Sequence, residues 1–134
     1  MTHYRISEAA RLIGVSADTV RRRVESGSLN ATRDEAGRQV IPGVELARWA
    51  QQLAHAPEDP TATASSARNR FVGLVTNIVA DTVMAQVELQ CGPFRVVSLM
   101  SSEAVRELGL EVGSTAVAVV KATTVIVETE RQPR

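Results

Sequence analysis

The sequence predicts an α+β protein with two small domains, a helical domain that carries a β-hairpin and a small β-barrel. Residues 1–55 place apolar side chains mostly at helical spacing, whereas residues 66–134 change to the two-residue spacing of strands. Residues 56–65 are rich in Pro, Ala, Ser and Thr and have no apolar period, which is typical of a flexible linker. A chain of 134 residues is long enough for two such domains.

The composition predicts small aliphatic cores and an association of several copies. Hydrophobic residues make up 44% of the chain but aromatic residues only 3%, so Val, Ile, Leu and Ala must fill both cores. Small cores of this kind stabilise a domain only marginally, and oligomer formation is a common remedy. We therefore expect a homo-oligomer.

Several classes of protein are disfavoured by what the sequence contains. The single Cys91 excludes an intrachain disulfide, and with His3 and His55 far apart in sequence we expect no metal-ion site. Paired carboxylates, Ser/His or Cys/His arrangements and a Gly-rich phosphate loop are missing, so we do not expect an enzyme. No segment resembles a signal peptide or a membrane span, which predicts a cytoplasmic protein without a membrane partner.

Two short helices joined by a tight turn are predicted at the start of the chain. The first has an apolar stripe made of Ile6, Ala9, Ala10 and Ile13. Ser7 is its predicted N-cap, and Gly14 is expected to end it in the left-handed conformation. Ser16 is the predicted N-cap of the second helix, in which Val20 and Val24 face the first. Helix, short Gly-containing turn and helix together indicate a helix-turn-helix, whose second helix enters the major groove of DNA.

A β-hairpin and a third helix follow. Residues 29–33 and 38–42 are extended runs joined by the turn-forming residues 34–37, so Arg33 and Arg38 lie on a predicted wing. Pro42 is expected to open the third helix at its first turn. Its predicted packing face comprises Val44, Leu46, Ala47, Trp49, Ala50 and Leu53. The sequence therefore predicts a winged helix-turn-helix domain over residues 1–55.

This domain resembles the MerR/excisionase type of winged helix-turn-helix. The residues that carry the resemblance are Ile6–Ala10, Leu12–Ser16, Thr19–Arg22, Gly27–Leu29, Gly37–Pro42 and Leu46–Trp49. The resemblance implies double-stranded DNA as a partner, with six residues near bases or phosphates: Thr19, Arg21, Arg22, Arg23, Arg33 and Arg38. Three consecutive arginines favour phosphate contacts first and base contacts second; a solvated helix face is the alternative. Eight arginines against six acidic residues predict weak binding by one copy, so useful affinity needs at least two.

A small OB-like β-barrel is predicted for residues 66–134. Five strands are expected, at Phe71–Ile78, 83–90, Phe94–Met100, Ser114–Val120 and Thr124–Glu128, with a short helix over 101–109 before the fourth. Gly73 marks a bulge or sharp bend in the first strand. The run Val117–Val120 is apolar on both faces, which predicts that a neighbouring subunit covers one of them.

Lys121 is the only lysine in a chain with fourteen arginines. An ammonium group is a compact point donor, whereas a guanidinium is a broad fork, so the two suit different anion pockets. The small Ala122 and the hydroxyl of Thr123 follow it, so a backbone N–H and an O–H group can converge with the ammonium on one anion. The alternative for a single lysine at a strand end is a solvated surface position.

The second domain resembles the Mop domain, the molybdate-binding member of the TOBE group. The elements that carry the resemblance are Ser66–Asn69, Leu108–Leu110 with Val112–Gly113, and Ala118–Val125. The resemblance implies a tetrahedral oxyanion, molybdate or tungstate, bound at subunit interfaces. The implied ligands are Ser66, Arg68, Ser101, Lys121 and Ala122, with Thr123 and Thr124 as further candidates. Single-unit members of the group assemble as hexamers, so we expect a hexamer, with a dimer as the alternative.

These observations predict a molybdate- or tungstate-responsive DNA-binding transcriptional regulator. The alternative is a protein for molybdate storage and homeostasis, in which the helix-turn-helix is accessory. A third reading treats the barrel as an oligomerisation module alone. DNA binding at physiological salt separates the first two, and anion binding separates both from the third.

Overall fold

The computed structural model describes residues 2–61 and 63–131. The chain divides into two compact units, Met1–His55 and Ala56–Arg134. None of the helices in the described ranges has the length and apolarity needed to cross a bilayer.

The N-terminal unit combines three helices with a small sheet. Its elements are β1 His3–Arg5, α1 Ile6–Ile13, α2 Ala17–Glu25, β2 Thr32–Arg33, β3 Gln39–Pro42 and α3 Gly43–Leu53. The sheet has the order β1-β3-β2 and is antiparallel throughout. The predicted hairpin is therefore present as β2 and β3. Strand β1 was not predicted, because a three-residue strand has no detectable period and forms only by pairing with β3.

The ends of the helices follow local sequence at most positions. Gly14 ends α1 with φ 82°, and the hydroxyl of Ser16 accepts the N–H of Thr19 at 3.1 Å, as predicted. The prediction of Ser7 as the first N-cap is wrong, because Arg5 caps α1 and its N–H donates to Glu8 Oε1 at 3.1 Å. Pro42 caps α3 from just outside the helix instead of occupying its first turn.

One closed hydrophobic core holds this unit together. Its buried members are Ala9, Ala10, Val20, Leu29, Ile41, Leu46 and Trp49. The predicted packing face of α3 is right for Leu46 and Trp49, but Val44 and Leu53 are 59% and 47% exposed. Trp49 reaches across to α2, so the aromatic ring fixes the position of the second helix of the helix-turn-helix.

The C-terminal unit is a curled antiparallel sheet of four strands. Its elements are β4 Asn69–Ala80, β5 Met84–Cys91, β6 Phe94–Ser101, α4 Ser102–Leu108, β7 Thr115–Val120 and a 3₁₀ turn at Ala122–Thr124. The strand order is β6-β5-β4-β7, so β6 and β7 are the two edges. The core contains Val75, Val87, Leu89 and Cys91, so alternate residues of β5 face inward.

The predicted fifth strand, Thr124–Glu128, is absent from the single chain. Thr124 donates both its N–H and its hydroxyl to Lys121 O, at 3.0 and 2.8 Å. The start of the predicted strand is therefore part of a 3₁₀ turn. Ile126 and Val127 are 84% and 87% exposed. The expectation that Val117–Val120 is buried on both faces also fails within one chain, because Val119 is 48% exposed.

Gly73 permits a close approach between two strands. A Cβ at this position would lie 2.5 Å from Gln90 O and 2.6 Å from Cys91 Sγ, so only glycine fits without a shift of β5. The register shift in β4 lies between Val75 and Asn77. The predicted irregularity is therefore present in this strand, but a few residues after Gly73.

Candidate functional site

The register of β4 and β7 brings two predicted anion-binding elements together. Asn69 pairs with Val120, and its side-chain Nδ2 donates to Val120 O at 3.2 Å. Arg68 immediately precedes this pair and Lys121 immediately follows it. Because antiparallel neighbours run side by side, the segments 66–68 and 121–123 meet at one end of the sheet. Asn69 belongs to the sequence motif but is not among the predicted site residues. Its side-chain hydrogen bond from β4 to β7 depends on the register of the two strands, which the sequence does not show.

The cations at this place have no carboxylate partner in the part of the chain that the structure describes. Arg68 and Lys121 are exposed and form no ion pair there. The neighbouring Arg70, in contrast, donates to Asp59 Oδ2 at 3.0 Å, and Arg95 is paired with Glu88. Two uncompensated cations side by side are positioned to receive an external anion.

The 3₁₀ turn adds uncharged donors. Within residues 2–61 and 63–131, the N–H groups of Ala122 and Thr123 make no hydrogen bond, as expected at the start of a helical turn. The hydroxyl of Thr124 is committed to Lys121 O, whereas the hydroxyl of Thr123 is exposed. Successive free N–H groups next to cations form a concavity that favours anions. Ser66 lies exposed at the start of the facing segment.

Ser101 lies at the other end of the sheet. It pairs with Met84, next to the Ala80–Ala85 pair that closes β4, whereas Lys121 lies beside the start of β4. Its hydroxyl accepts the N–H of Ala104 at 3.0 Å and caps α4. One copy of the chain therefore does not bring Ser101 to the other predicted ligands.

The three consecutive arginines of α2 have three different environments. Arg21 Nη1 donates to Asp18 Oδ1 at 2.7 Å. The guanidinium of Arg23 lies over the ring of Trp49, 5.0 Å from its centroid, and its Nε is buried without a hydrogen-bond partner among the described residues. Arg22 is exposed and has no ion pair in the described ranges. Only Arg22 is thus fully available to a phosphate.

The side chains of the remaining predicted DNA contacts form hydrogen bonds with residues nearby in sequence. The hydroxyls of Thr19 and Ser16 are 2.9 Å apart. On the hairpin, Arg33 Nη1 donates to Gly37 O at 2.7 Å and Arg38 Nε donates to Asp34 Oδ2 at 3.0 Å. The hydrogen bond from the backbone N–H of Arg38, with smaller contributions from the Arg38 side chain, lowers the pKa of Asp34. The wing arginines are exposed, but both also hold the turn.

Comparison with known proteins gives a separate result for each unit. Residues 65–127 match the model of the TOBE domain, and residues 4–54 match the model of a helix-turn-helix domain. A protein of Haemophilus influenzae, named probable molybdenum-pterin-binding protein, is 46% identical over 66 residues, which are 48% of this chain and 96% of that protein.

Two solved structures are also similar to the C-terminal unit. MopII from Clostridium pasteurianum is 36% identical and covers 49% of this chain and 100% of its own, with a TM-score of 0.47. A molybdate-binding protein from Sporomusa ovata is 31% identical and covers 50% of this chain and 100% of its own, with a TM-score of 0.48.

Proposed function

The chain belongs to the TOBE domain family through residues 65–127, and from this premise we propose that it is a molybdate- or tungstate-responsive DNA-binding transcriptional regulator. The observation that carries the proposal is the juxtaposition of Arg68 and Lys121 with the first two N–H groups of a 3₁₀ turn, all without an ion-pair or hydrogen-bond partner among the described residues. The match of residues 4–54 to a helix-turn-helix domain supports the DNA-binding half.

The donors fit a tetrahedral dianion. Molybdate and tungstate only accept hydrogen bonds, so a site for them needs several N–H and O–H donors and limited positive charge. Ser66 and Thr123 supply hydroxyls, the turn supplies N–H groups, and Lys121 and Arg68 supply two charges for two negative charges. Neither cation has a carboxylate partner among residues 2–61 and 63–131, which supports an external anion as their counterion.

A second copy completes the site in this proposal. Ser101 lies at the far end of its own sheet, so its hydroxyl reaches an anion at Lys121 only from another copy. The unpaired edges β6 and β7 and the exposed apolar residues 125–127 supply surfaces for such an assembly. A hexamer remains the favoured arrangement and a dimer the alternative.

Anion and DNA are coupled through this assembly. The anion stabilises an arrangement of several copies, and that arrangement sets the spacing of the helix-turn-helix units on DNA. Arg22 supplies the main phosphate contact of α2, and Arg21, held by Asp18, is available to a base edge. Arg23 contributes indirectly, because its stacking on Trp49 positions α2.

Calorimetric titration with molybdate in excess sulfate tests the anion site. Loss of one charge-assisted hydrogen bond costs about 1.5–3 kcal/mol, so Lys121→Ala should weaken binding by about tenfold to 150-fold. Arg106→Ala removes a charge from α4 in the same unit and should leave affinity nearly unchanged. Equal affinity of the wild type and Lys121→Ala, or no heat in the wild type, would contradict the proposal.

Fluorescence anisotropy titrations test the DNA-binding half of the proposal. They use DNA selected for binding to the protein and are made with and without molybdate. Arg22→Ala should weaken binding to all sequences and reduce the salt slope by about 1, as expected for one phosphate contact. Arg48→Ala, on α3, is the control with the same change in charge. Full affinity in Arg22→Ala would argue against DNA contact through α2, and sequence-independent binding would favour the storage alternative.

A further inference from the structure

The segment before the barrel, predicted as a flexible linker, is tied to β4. Arg70 Nε donates to Asp59 Oδ2 at 3.0 Å, and Arg70 Nη2 donates to Thr61 Oγ1 at 2.6 Å. Asp59 Oδ1 accepts both the N–H and the hydroxyl of Thr61, at 2.8 and 2.6 Å. We call these three residues the latch, and residues 59–61 together with 63–65 the strap.

The latch is more than an ordinary surface ion pair. The side chains of Arg70 and Asp59 are only 25% and 33% exposed. The hydrogen bonds from Thr61 and then Arg70 lower the pKa of Asp59 to about 2, so its carboxylate is charged at neutral pH. The hydroxyl of Thr61 donates to Asp59 and accepts from Arg70, so all three groups satisfy one another.

The strap lies along the opening of the half-barrel. A cavity of about 740 Å³ has Thr61, Thr63, Ala64 and Ser65 on one side. Its other walls come from the two edge strands, β6 and β7, and from the inner face of β5. Small and hydroxyl-bearing strap residues thus face an apolar sheet and leave the space between the edges poorly filled. A loosely filled space reduces the van der Waals contact energy of its lining.

The same opening suits a more apolar occupant. Val125 has extended backbone angles, and Ile126 and Val127 are almost fully exposed. An extended Val-Ile-Val segment can pair with a free sheet edge and place apolar side chains against the lining. In one copy this segment does not line the cavity, so the candidate occupant is the same segment of a second copy.

We propose that the latched strap is an internal competitor for assembly: residues 59–61 and 63–65 hold the opening between β6 and β7 that residues 125–127 of a second copy enter. Release of the latch exposes the opening and favours association. The strap continues directly into Ser66–Arg68, where Ser65 Oγ accepts the N–H of Ala67 at 3.1 Å. The inference rests on the proposed assembly but requires neither the anion nor DNA.

Asp59→Asn tests the strap, with Glu58→Gln as the matched control, since Glu58 is the adjacent acid and lies outside the latch. Hydrogen exchange of residues 56–67 and sedimentation equilibrium of the full chain are measured without molybdate. Asp59→Asn should speed exchange of the strap and strengthen association, each by about tenfold, because it weakens a charge-assisted pair. Glu58→Gln should change neither.

Three outcomes would overturn the proposal. Unchanged exchange in Asp59→Asn would mean that the latch does not hold the strap. Faster exchange with unchanged or weaker association would mean that the strap does not compete with a second copy. If the wild type and the Asp59→Asn variant both stay monomeric, no second copy brings its residues 125–127 to the opening. Failure of the protein to bind molybdate would contradict the proposed function but not this inference, because the exchange and sedimentation measurements contain no molybdate.

Discussion

The two units of this chain bury their apolar side chains to very different extents. In the N-terminal unit Val20 and Ile41 are fully buried and Trp49 is 4% exposed. Three large hydrophobic residues of the described N-terminal unit are exposed, against fourteen in the described part of the C-terminal unit. Exposed apolar surface on that scale marks an interaction site. The N-terminal unit therefore buries most of its large apolar side chains in one copy, whereas the C-terminal unit leaves many of them exposed.

The cause lies in how each unit closes its core. The N-terminal unit has a tryptophan in its core, and the ring of this Trp49 lies under the guanidinium of Arg23. The C-terminal unit has only short aliphatic side chains and a four-stranded sheet whose two edges, β6 and β7, are not joined. A sheet becomes free of edges only by closure, and this sheet keeps both of its edges in one copy.

The largest expected effect tests the closed core. Trp49→Ala should destabilise the N-terminal unit by about 3–5 kcal/mol, because it leaves a large cavity and removes the support of Arg23. Scanning calorimetry should show one transition moving down and the other unchanged. Leu53→Ala, a residue of α3 that is 47% exposed, should have little effect. An equal shift of both transitions would show that the units do not unfold independently.

The next largest effect concerns the exposed apolar residues of the C-terminal unit. Ile126→Ser should leave the fold of one copy intact, because the side chain is 84% exposed. If a second copy buries this side chain, association should weaken by about 1.5–3 kcal/mol for each copy. Sedimentation equilibrium measures the change, and Val112→Ser, at a residue 64% exposed in a loop, is the control. Equal losses in both variants would indicate nonspecific adhesion instead of a defined contact.

A third prediction concerns the tightest contact inside the sheet. Gly73→Ala should destabilise the C-terminal unit by about 1–3 kcal/mol, because the new Cβ would meet Gln90 O and Cys91 Sγ. Chemical unfolding followed by far-ultraviolet circular dichroism measures it. Gly43→Ala, whose Cβ would have no neighbour closer than 3.2 Å, should cost less. A neutral Gly73→Ala would mean that β5 can move away from β4.

The smallest effect is a pH dependence of the latch. The pKa of Asp59 is lowered from 3.8 to about 2, chiefly by hydrogen bonds from Thr61 and Arg70, so the charged carboxylate favours the latched state. Its contribution is complete above about pH 4 and is lost as the pH falls through 2. Carboxyl NMR should give a midpoint near 2, and Arg70→Gln should raise it. A wild-type midpoint near 3.8 would show that the latch is open in solution.

Local sequence was sufficient for most elements of both units. Gly14 and Ser16 specify the turn of the helix-turn-helix through a left-handed cap and a side-chain cap, which depend on neighbours within three residues. The alternation in β5 specifies which side chains face inward. The resemblance of two short motifs to a known domain also indicates the segments around Arg68 and Lys121 without their proximity in the fold. Their ligand roles stay a prediction.

Tertiary structure decided what depends on partners distant in sequence. Arg23 looks like its two neighbours in sequence, and only the position of Trp49 on α3 withdraws it from the exposed face. The register of β4 against β7 places Arg68 beside Lys121, and the register of β5 against β6 places Ser101 at the far end. The composition of residues 56–65 predicts a flexible linker, but Arg70 of β4 forms an ion pair with Asp59 and holds that part of the segment against the sheet. Periodicity and capping are local properties that sequence determines, whereas pairing, stacking and ion-pair choice are contacts that exist only once the chain is folded.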